Sequence, residues 1–168
     1  KVDAFDAMSG YESVIGGPKL QTSSIPYLNH ELLNPRTTRF QYDRWQAKEY
    51  ADMWWDHANP EYINFDVNCT NYVSQCLFAG GAPMNYTGRR DAGWWYQKGQ
   101  PKDRWSFSWS VAHSLCWYLA DRGLHAEEVD SPEQLQVGDV ILYDFEGDSS
   151  YNHSTIVTAH NASGMPLV

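Results

Sequence analysis

The chain is organised around residues 68–81, Asn68-Cys69-Thr70-Asn71-Tyr72-Val73-Ser74-Gln75-Cys76-Leu77-Phe78-Ala79-Gly80-Gly81. Val73, Cys76 and Leu77 recur at the steps of one helix face, Asn68 is a favourable N-cap, and the glycine pair ends the helix. The sequence therefore predicts a short helix with Cys69 in its first turn. The unpaired amides and the positive end of the helix dipole favour a thiolate there, which is the nucleophilic form of cysteine.

The three cysteines have different surroundings. A free cysteine is most often a small buried core residue. We interpret Cys76, which lies on the apolar helix face, and Cys116, which lies in a second helical segment, in this way. Cys69 has polar neighbours and follows a capping residue, so we interpret it as a candidate nucleophile.

The composition is typical of one globular domain. The chain has 168 residues, of which 42% are hydrophobic and 15% aromatic, enough for a core. Its net charge of −9 argues against nucleic-acid binding, which normally uses a basic face. The histidines and cysteines lack the paired spacing of zinc sites, and no apolar run is long enough to span a membrane.

The first two thirds of the chain contain the helical patterns. Residues 1–35 lack periodicity and are interrupted by glycine and proline, so we expect an N-terminal extension or linker there. Residues 38–58 carry an aromatic stripe at helical spacing, which predicts a helix packed on the core. Residues 108–121 predict a further helix, with Gly123 as its stop.

The last third predicts antiparallel strands. β-Branched and aromatic residues favour strands over residues 140–145 and 153–159, with a polar hairpin loop between them, and a third strand starts at Met165. Helices followed by such a meander predict the α+β class.

Four tryptophans follow the cysteine helix, interleaved with polar residues: Trp94, Trp95, Trp105 and Trp109. They could line a groove for sugar rings or peptide side chains, or they could simply be buried. Periodicity does not decide between these alternatives. If the chain has a substrate groove, we expect these side chains to form its walls.

His153 begins a predicted strand directly after a polar loop, where a side chain can face a cleft. A thiol at a helix N-terminus and an imidazole at the head of a strand form the pair that cysteine acyl-transfer enzymes need. The remaining histidines are interpreted as structural: His30, His57, His113, His125 and His160.

Several separated motifs resemble, in the right order, the bacterial "putative amidase domain" family. They are residues 68–77 with 79–81, Gly93-Trp94-Trp95-Tyr96, Ser108-Trp109, residues 138–145 and Asn152-His153-Ser154. The resemblance covers roughly residues 36–168. It implies a papain-like α+β fold, related to CHAP and NlpC-type cell-wall hydrolases, in which the nucleophile helix packs on an antiparallel sheet that supplies the histidine.

The resemblance also implies roles for individual residues. Cys69 matches the nucleophile and His153 the general base. The family usually has Asp at the position of Asn68, whose amide can still cap the helix beside the nucleophile. Related proteins orient the imidazole with a third polar residue on the strand after the histidine strand. Here that strand is cut at Val168, so we expect a C-terminally truncated domain with this residue beyond it.

These expectations combine into a cysteine amidase or peptidase that hydrolyses amide bonds in peptidoglycan, at the cell wall or outside the cell. The chemistry implied needs no metal and no organic cofactor. Two alternatives remain. One is a catalytically silent module of the same fold that binds wall or peptide, and the other is an acyltransferase.

Overall fold

A computed structural model describes residues 39–121 and 123–168. The predicted extension over residues 1–35 lies outside this part of the chain. The helices described are α1 (Arg44–Trp54), α2 (Cys69–Ala79), α3 (Phe107–Ser110) and α4 (Ala112–Ala120). The strands are β1 (Tyr96–Gln97), β2 (Arg104–Trp105), β3 (Val140–Tyr143), β4 (His153–Ile156), β5 (Ala159–His160) and β6 (Pro166–Leu167). This mixture of helices and short antiparallel strands confirms the predicted α+β class.

The strands pair as three antiparallel ladders, β1 with β2, β3 with β4, and β5 with β6. The predicted strand over residues 153–159 is divided between two of them. The amide of Val157 donates to the carbonyl of Asp139 at 2.8 Å, and the amide of Thr158 donates to the carbonyl of Leu167 at 2.8 Å. One nearly continuous stretch of chain therefore pairs first with β3 and then with β6.

Helix α1 packs against α2 through small residues. Asp43 caps α1, because its carboxylate accepts from the amide of Gln46 at 3.0 Å. Ala47 and Ala51 are buried in the interface. Gly80, just after α2, lies so close to the Tyr42 ring that an added Cβ would meet it at 2.4 Å. Small residues on both sides bring the two helices into close contact.

The predicted helix over residues 108–121 is broken in two. Val111 separates α3 from α4 and has extended backbone angles, with φ −121° and ψ 122°. Both short helices pack on α2. No helix within the described ranges is both long and apolar enough to cross a membrane.

The core around α2 contains the four tryptophans that we expected in a substrate groove. Trp94, Trp95, Trp105 and Trp109 are at most 2% exposed. The structure therefore corrects the expected groove-wall role in favour of the alternative that these side chains are buried.

Buried polar partners offset the cost of burying two of these indole N–H groups. The Trp94 indole N–H donates to Ser74 Oγ at 3.0 Å, and the Trp109 indole N–H donates to Asn71 Oδ1 at 2.8 Å. The serines interleaved with the tryptophans, Ser106 and Ser108, are themselves fully buried. Polar neighbours in the sequence thus signalled internal hydrogen bonds and not an exposed surface.

Candidate active site

Cys69 is the first residue of α2, as predicted, and it is partly buried. Its Sγ lies 3.7 Å from Thr70 Oγ1. Asn68 occupies the N-cap position, but its side chain does not cap the helix. Its Oδ1 instead accepts from the amide of Phe65 at 3.1 Å and from Nδ2 of Asn71 at 2.9 Å. The expected capping bond is therefore replaced by bonds that close the turn before the helix, and the side chain of Asn68 leaves the first-turn amides to other partners.

The buried side chain of Asn71 holds this turn in place. It is fully buried, and its Nδ2 also donates to the carbonyl of Ile63 at 2.8 Å. Its Oδ1 accepts from the Trp109 indole at 2.8 Å. The loop that leads to Cys69 is thus tied to the tryptophan core, which limits the movement of the thiol.

Strand β4 meets the first turn of α2. Thr70 Oγ1 and Ser154 Oγ lie 2.9 Å apart in the interior. Thr70 directly follows Cys69, and Ser154 directly follows His153. The two elements that carry the predicted nucleophile and base are therefore in contact.

The ring of His153 lies on the face of β4 opposite to that of Ser154. His153 pairs with Tyr143 across the β3–β4 ladder. Its ring centroid is 5.6 Å from that of Tyr143 and 6.1 Å from that of Phe145. Successive side chains of a strand point to opposite faces, so Ser154 faces α2 while His153 packs among these aromatic rings. The structure brings the two backbones together without bringing the imidazole onto the thiol.

The hairpin loop before His153 is anchored to α4. The amide of Tyr151 donates to His113 Nδ1 at 3.2 Å, and the two rings stack with centroids 6.2 Å apart. Burial lowers the pKa of His113, an effect that nearby Asp148 partly opposes. An unprotonated Nδ1 is required for this hydrogen bond, so the position of the loop is linked to the charge of His113.

A cavity of about 340 Å³ opens beside Cys69. One wall is the start of α2, including Asn68 and Tyr72, and the other is the end of α1 and the loop that follows, including Trp54, Trp55, Asp56 and His57. Neither His153 nor any of the four buried tryptophans is among the described residues that line this cavity.

The residues of the second wall were missed in the sequence, where the stripe on α1 was interpreted as core packing and His57 as structural. Trp55 is 75% exposed, and the Trp54 and His57 rings lie 4.9 Å apart. His57 Nδ1 lies 2.5 Å from Asp56 Oδ1. One signal was present. Adjacent residues on a helix point about 100° apart, so Trp54 and Trp55 cannot point in the same direction.

The other two cysteines differ from Cys69. Burial raises the pKa of the Cys76 thiol to about 12, which agrees with its interpretation as a core residue. Burial also raises the pKa of Cys116 to about 11, although a hydrogen bond with Tyr151 partly opposes this. Within residues 39–121 and 123–168, no three His, Cys, Asp or Glu side chains are grouped to hold a metal ion.

Comparison with known proteins identifies relatives of this chain. Residues 41–168 match the model of the family described as "Putative amidase domain". Over 131 residues, or 77% of the chain, the sequence is 53% identical to the "Uncharacterized protein YhbB" of Bacillus subtilis (strain 168). The matched region is 41% of the length of that relative. No solved structure gives a significant match.

Proposed function

This chain belongs to the family described as "Putative amidase domain", and from that premise we propose that it is a cysteine-dependent hydrolase of amide bonds. Cys69 is the nucleophile and His153 the general base. The family description supports the reaction class. The assignment of the two residues rests on the position of Cys69 at a helix N-terminus beside a cavity, and of His153 on the strand that contacts that helix.

One observation carries the assignment, the buried hydrogen bond between Thr70 and Ser154 at 2.9 Å. It holds the residue after the nucleophile against the residue after the base. Catalytic hydrogen bonds in substrate-free enzymes are often long and tighten only when substrate binds. Because His153 is the first residue of β4, its ring can pass around the end of the strand. In this proposal it leaves the rings of Tyr143 and Phe145 and reaches Cys69 in this way when substrate enters.

The proposed reaction has two steps. His153 takes the thiol proton of Cys69, and the sulfur attacks the carbonyl carbon of the amide. First-turn amides of α2, including that of Cys69, hold the oxyanion, and their availability is supported by the side chain of Asn68 being turned away from them. The imidazolium then protonates the leaving amine, and a water molecule, deprotonated by His153, hydrolyses the thioester and restores the thiol.

The substrate that we propose is an amide bond of peptidoglycan, and the site of action is the cell wall or the space outside the cell. Both proposals, like the papain-like fold and a third polar residue that orients His153, rest on the motif resemblance. The rival functions, a silent binding module and an acyltransferase, make different predictions in the experiments below.

The first experiment is alkylation of Cys69 by iodoacetamide as a function of pH, resolved by site with mass spectrometry. A working pair makes Cys69 react faster than free cysteine below pH 7, where an ordinary thiol is almost wholly protonated. We expect His153→Ala to remove this advantage. His57→Ala is the matched control, because His57 lines the same cavity. If His57→Ala removes the advantage and His153→Ala does not, the assignment of His153 is wrong.

The second experiment measures products from peptidoglycan fragments, with Cys69→Ala as the inactive control. Release of new amino groups by the native protein alone supports hydrolysis. Transfer of the acyl group to an added amine, in preference to water, would identify an acyltransferase. Binding without turnover, together with a thiol that reacts like free cysteine, would identify a silent binding module.

A further inference from the structure

The cavity beside Cys69 has walls of different chemistry. On the α1 side an aromatic surface is presented to solvent, since Trp55 is 75% exposed. Next to it stands the carboxylate of Asp56, whose side chain is 56% exposed. Exposed aromatic surface beside a concavity is typical of ligand-binding sites.

The lining of this cavity includes the carboxylate of Asp56 and no lysine or arginine among the described residues. The carboxylate of Asp56 contacts the imidazole of its neighbour, with Oδ1 2.5 Å from His57 Nδ1. When that imidazole is neutral, Nδ1–H donates to the carboxylate and the negative charge of Asp56 is retained. An aromatic face and a carboxylate at one rim together attract a cation, by cation–π attraction and by Coulomb attraction.

From this arrangement we propose that the cavity recognises an ammonium group on the substrate, next to the amide that Cys69 attacks. This inference rests on the proposed function, because it places the scissile amide at the α2 wall. The ammonium group then lies against Trp55 and Asp56 on the opposite wall. The volume of about 340 Å³ is at the lower end of the range for small-molecule sites, so the cavity accommodates a short peptide segment. The substrate class is thus a peptide with a free amino group close to the bond that is cut.

The test is a binding measurement that does not require turnover. Two capped tripeptides are titrated into the Cys69→Ala protein by calorimetry, one with lysine at its centre and the other with that lysine acetylated on its side-chain amine. Acetylation removes the positive charge. We expect the lysine peptide to bind about tenfold more tightly, as combined cation–π and carboxylate contacts predict.

Two further variants locate the charge recognition. Asp56→Asn in the Cys69→Ala background is expected to abolish most of the difference between the two peptides. Asp130→Asn makes the same charge change at an exposed position away from the cavity, and it is expected to preserve the difference. Since the Asp56 side chain is exposed, the fold is expected to survive its substitution, and circular dichroism checks this.

The outcomes separate this inference from the proposed hydrolysis. Equal affinity for the two peptides, no binding of either, or an equal loss in Asp56→Asn and Asp130→Asn would overturn the ammonium site. The Cys69→Ala protein could prefer the lysine peptide while the native protein releases no product from peptidoglycan fragments. That result would support the ammonium site and refute the proposed hydrolysis of peptidoglycan.

Discussion

Thr70 and Ser154 share a buried hydrogen bond, although they are 84 positions apart in the sequence. The two side chains belong to residues that are 1% and 2% exposed, respectively. Each follows a candidate catalytic residue, so this contact sets the distance between the helix that carries Cys69 and the strand that carries His153. Thr70 Oγ1 is also 3.7 Å from the Cys69 sulfur, which places the contact beside the candidate nucleophile.

Thr70→Val is expected to lower the free energy of unfolding by about 1–3 kcal/mol. The change keeps the shape of the side chain but leaves the Ser154 hydroxyl buried without its partner. Urea denaturation followed by tryptophan fluorescence measures the loss. We also expect the rate of Cys69 alkylation to change, since the first turn of α2 loses its contact with β4.

The matched control is the double variant Thr70→Val with Ser154→Ala. Removing both hydroxyls leaves neither one unpaired. The double variant should therefore lose less free energy of unfolding than the sum of the losses in the two single variants. Strict additivity of the two losses would show that the hydroxyl pair does not contribute as a unit.

Trp105→Ala should lower the stability of the fold, whereas Trp55→Ala should weaken peptide binding and leave the stability nearly unchanged. Trp105 packs in the core against Phe65, with ring centroids 4.9 Å apart, and its loss is expected to cost about 3–5 kcal/mol of unfolding free energy. Trp55 is 75% exposed, and its loss should change the unfolding free energy by no more than about 0.5 kcal/mol. Peptide binding should weaken in Trp55→Ala, and a titration of that variant checks this. An unstable Trp55→Ala or a fully stable Trp105→Ala would contradict the placement of these side chains.

The sequence was informative where structure depends on local pattern. The bounds of α2 and the position of Cys69 at its start follow from one apolar face, a polar N-cap position and a glycine pair. The hairpin that begins β4 with His153 follows from two β-branched runs around a polar loop. These features are specified by neighbouring residues, so they could be predicted without tertiary contacts.

Burial could not be predicted from the sequence where it depends on partners that are distant in the chain. Trp109 and Trp94 are buried beside distant polar partners, Asn71 and Ser74, which accept their indole N–H groups. Periodicity cannot show such pairs. The cavity wall was missed for the same reason, since the exposure of Trp55 depends on where α1 ends relative to α2. The orientation of the His153 ring also depends on a cross-strand neighbour, Tyr143, and on Phe145 beyond it.

The stability of the protein should fall as the pH is lowered below about 6.5. Burial lowers the pKa of His113 from its ordinary value of 6.5, so the folded state binds this proton less readily than the unfolded state. The stabilising contribution is complete above pH 6.5 and is lost as the pH falls through the folded pKa. Protonation of Nδ1 also removes the acceptor for the amide of Tyr151. Urea midpoints at pH 7.5 and 5.5 measure the decrease.

His113→Gln provides the comparison for this pH dependence. Glutamine cannot titrate, so the decrease between the two pH values should be smaller in this variant than in the native protein. Because the loop before β4 is held by His113, alkylation of Cys69 in the native protein is measured at both pH values to follow the site. An identical decrease in midpoint for the native protein and the variant would show that His113 is not responsible.

Selective labelling of Cys69 is the expected result when the native protein is treated with iodoacetamide at pH 7.5. Burial raises the pKa of Cys76 to about 12 and that of Cys116 to about 11, so both remain protonated and unreactive at this pH. Cys69 is at the first turn of α2 and lines the open cavity. Peptide mapping of the labelled protein identifies the modified residue, and labelling in 8 M urea, which exposes all three thiols, is the control. Modification of Cys76 at a rate close to that of Cys69 would mean that the α1–α2 interface opens readily, and the alkylation test for a catalytic pair would then need the Cys76→Ala background.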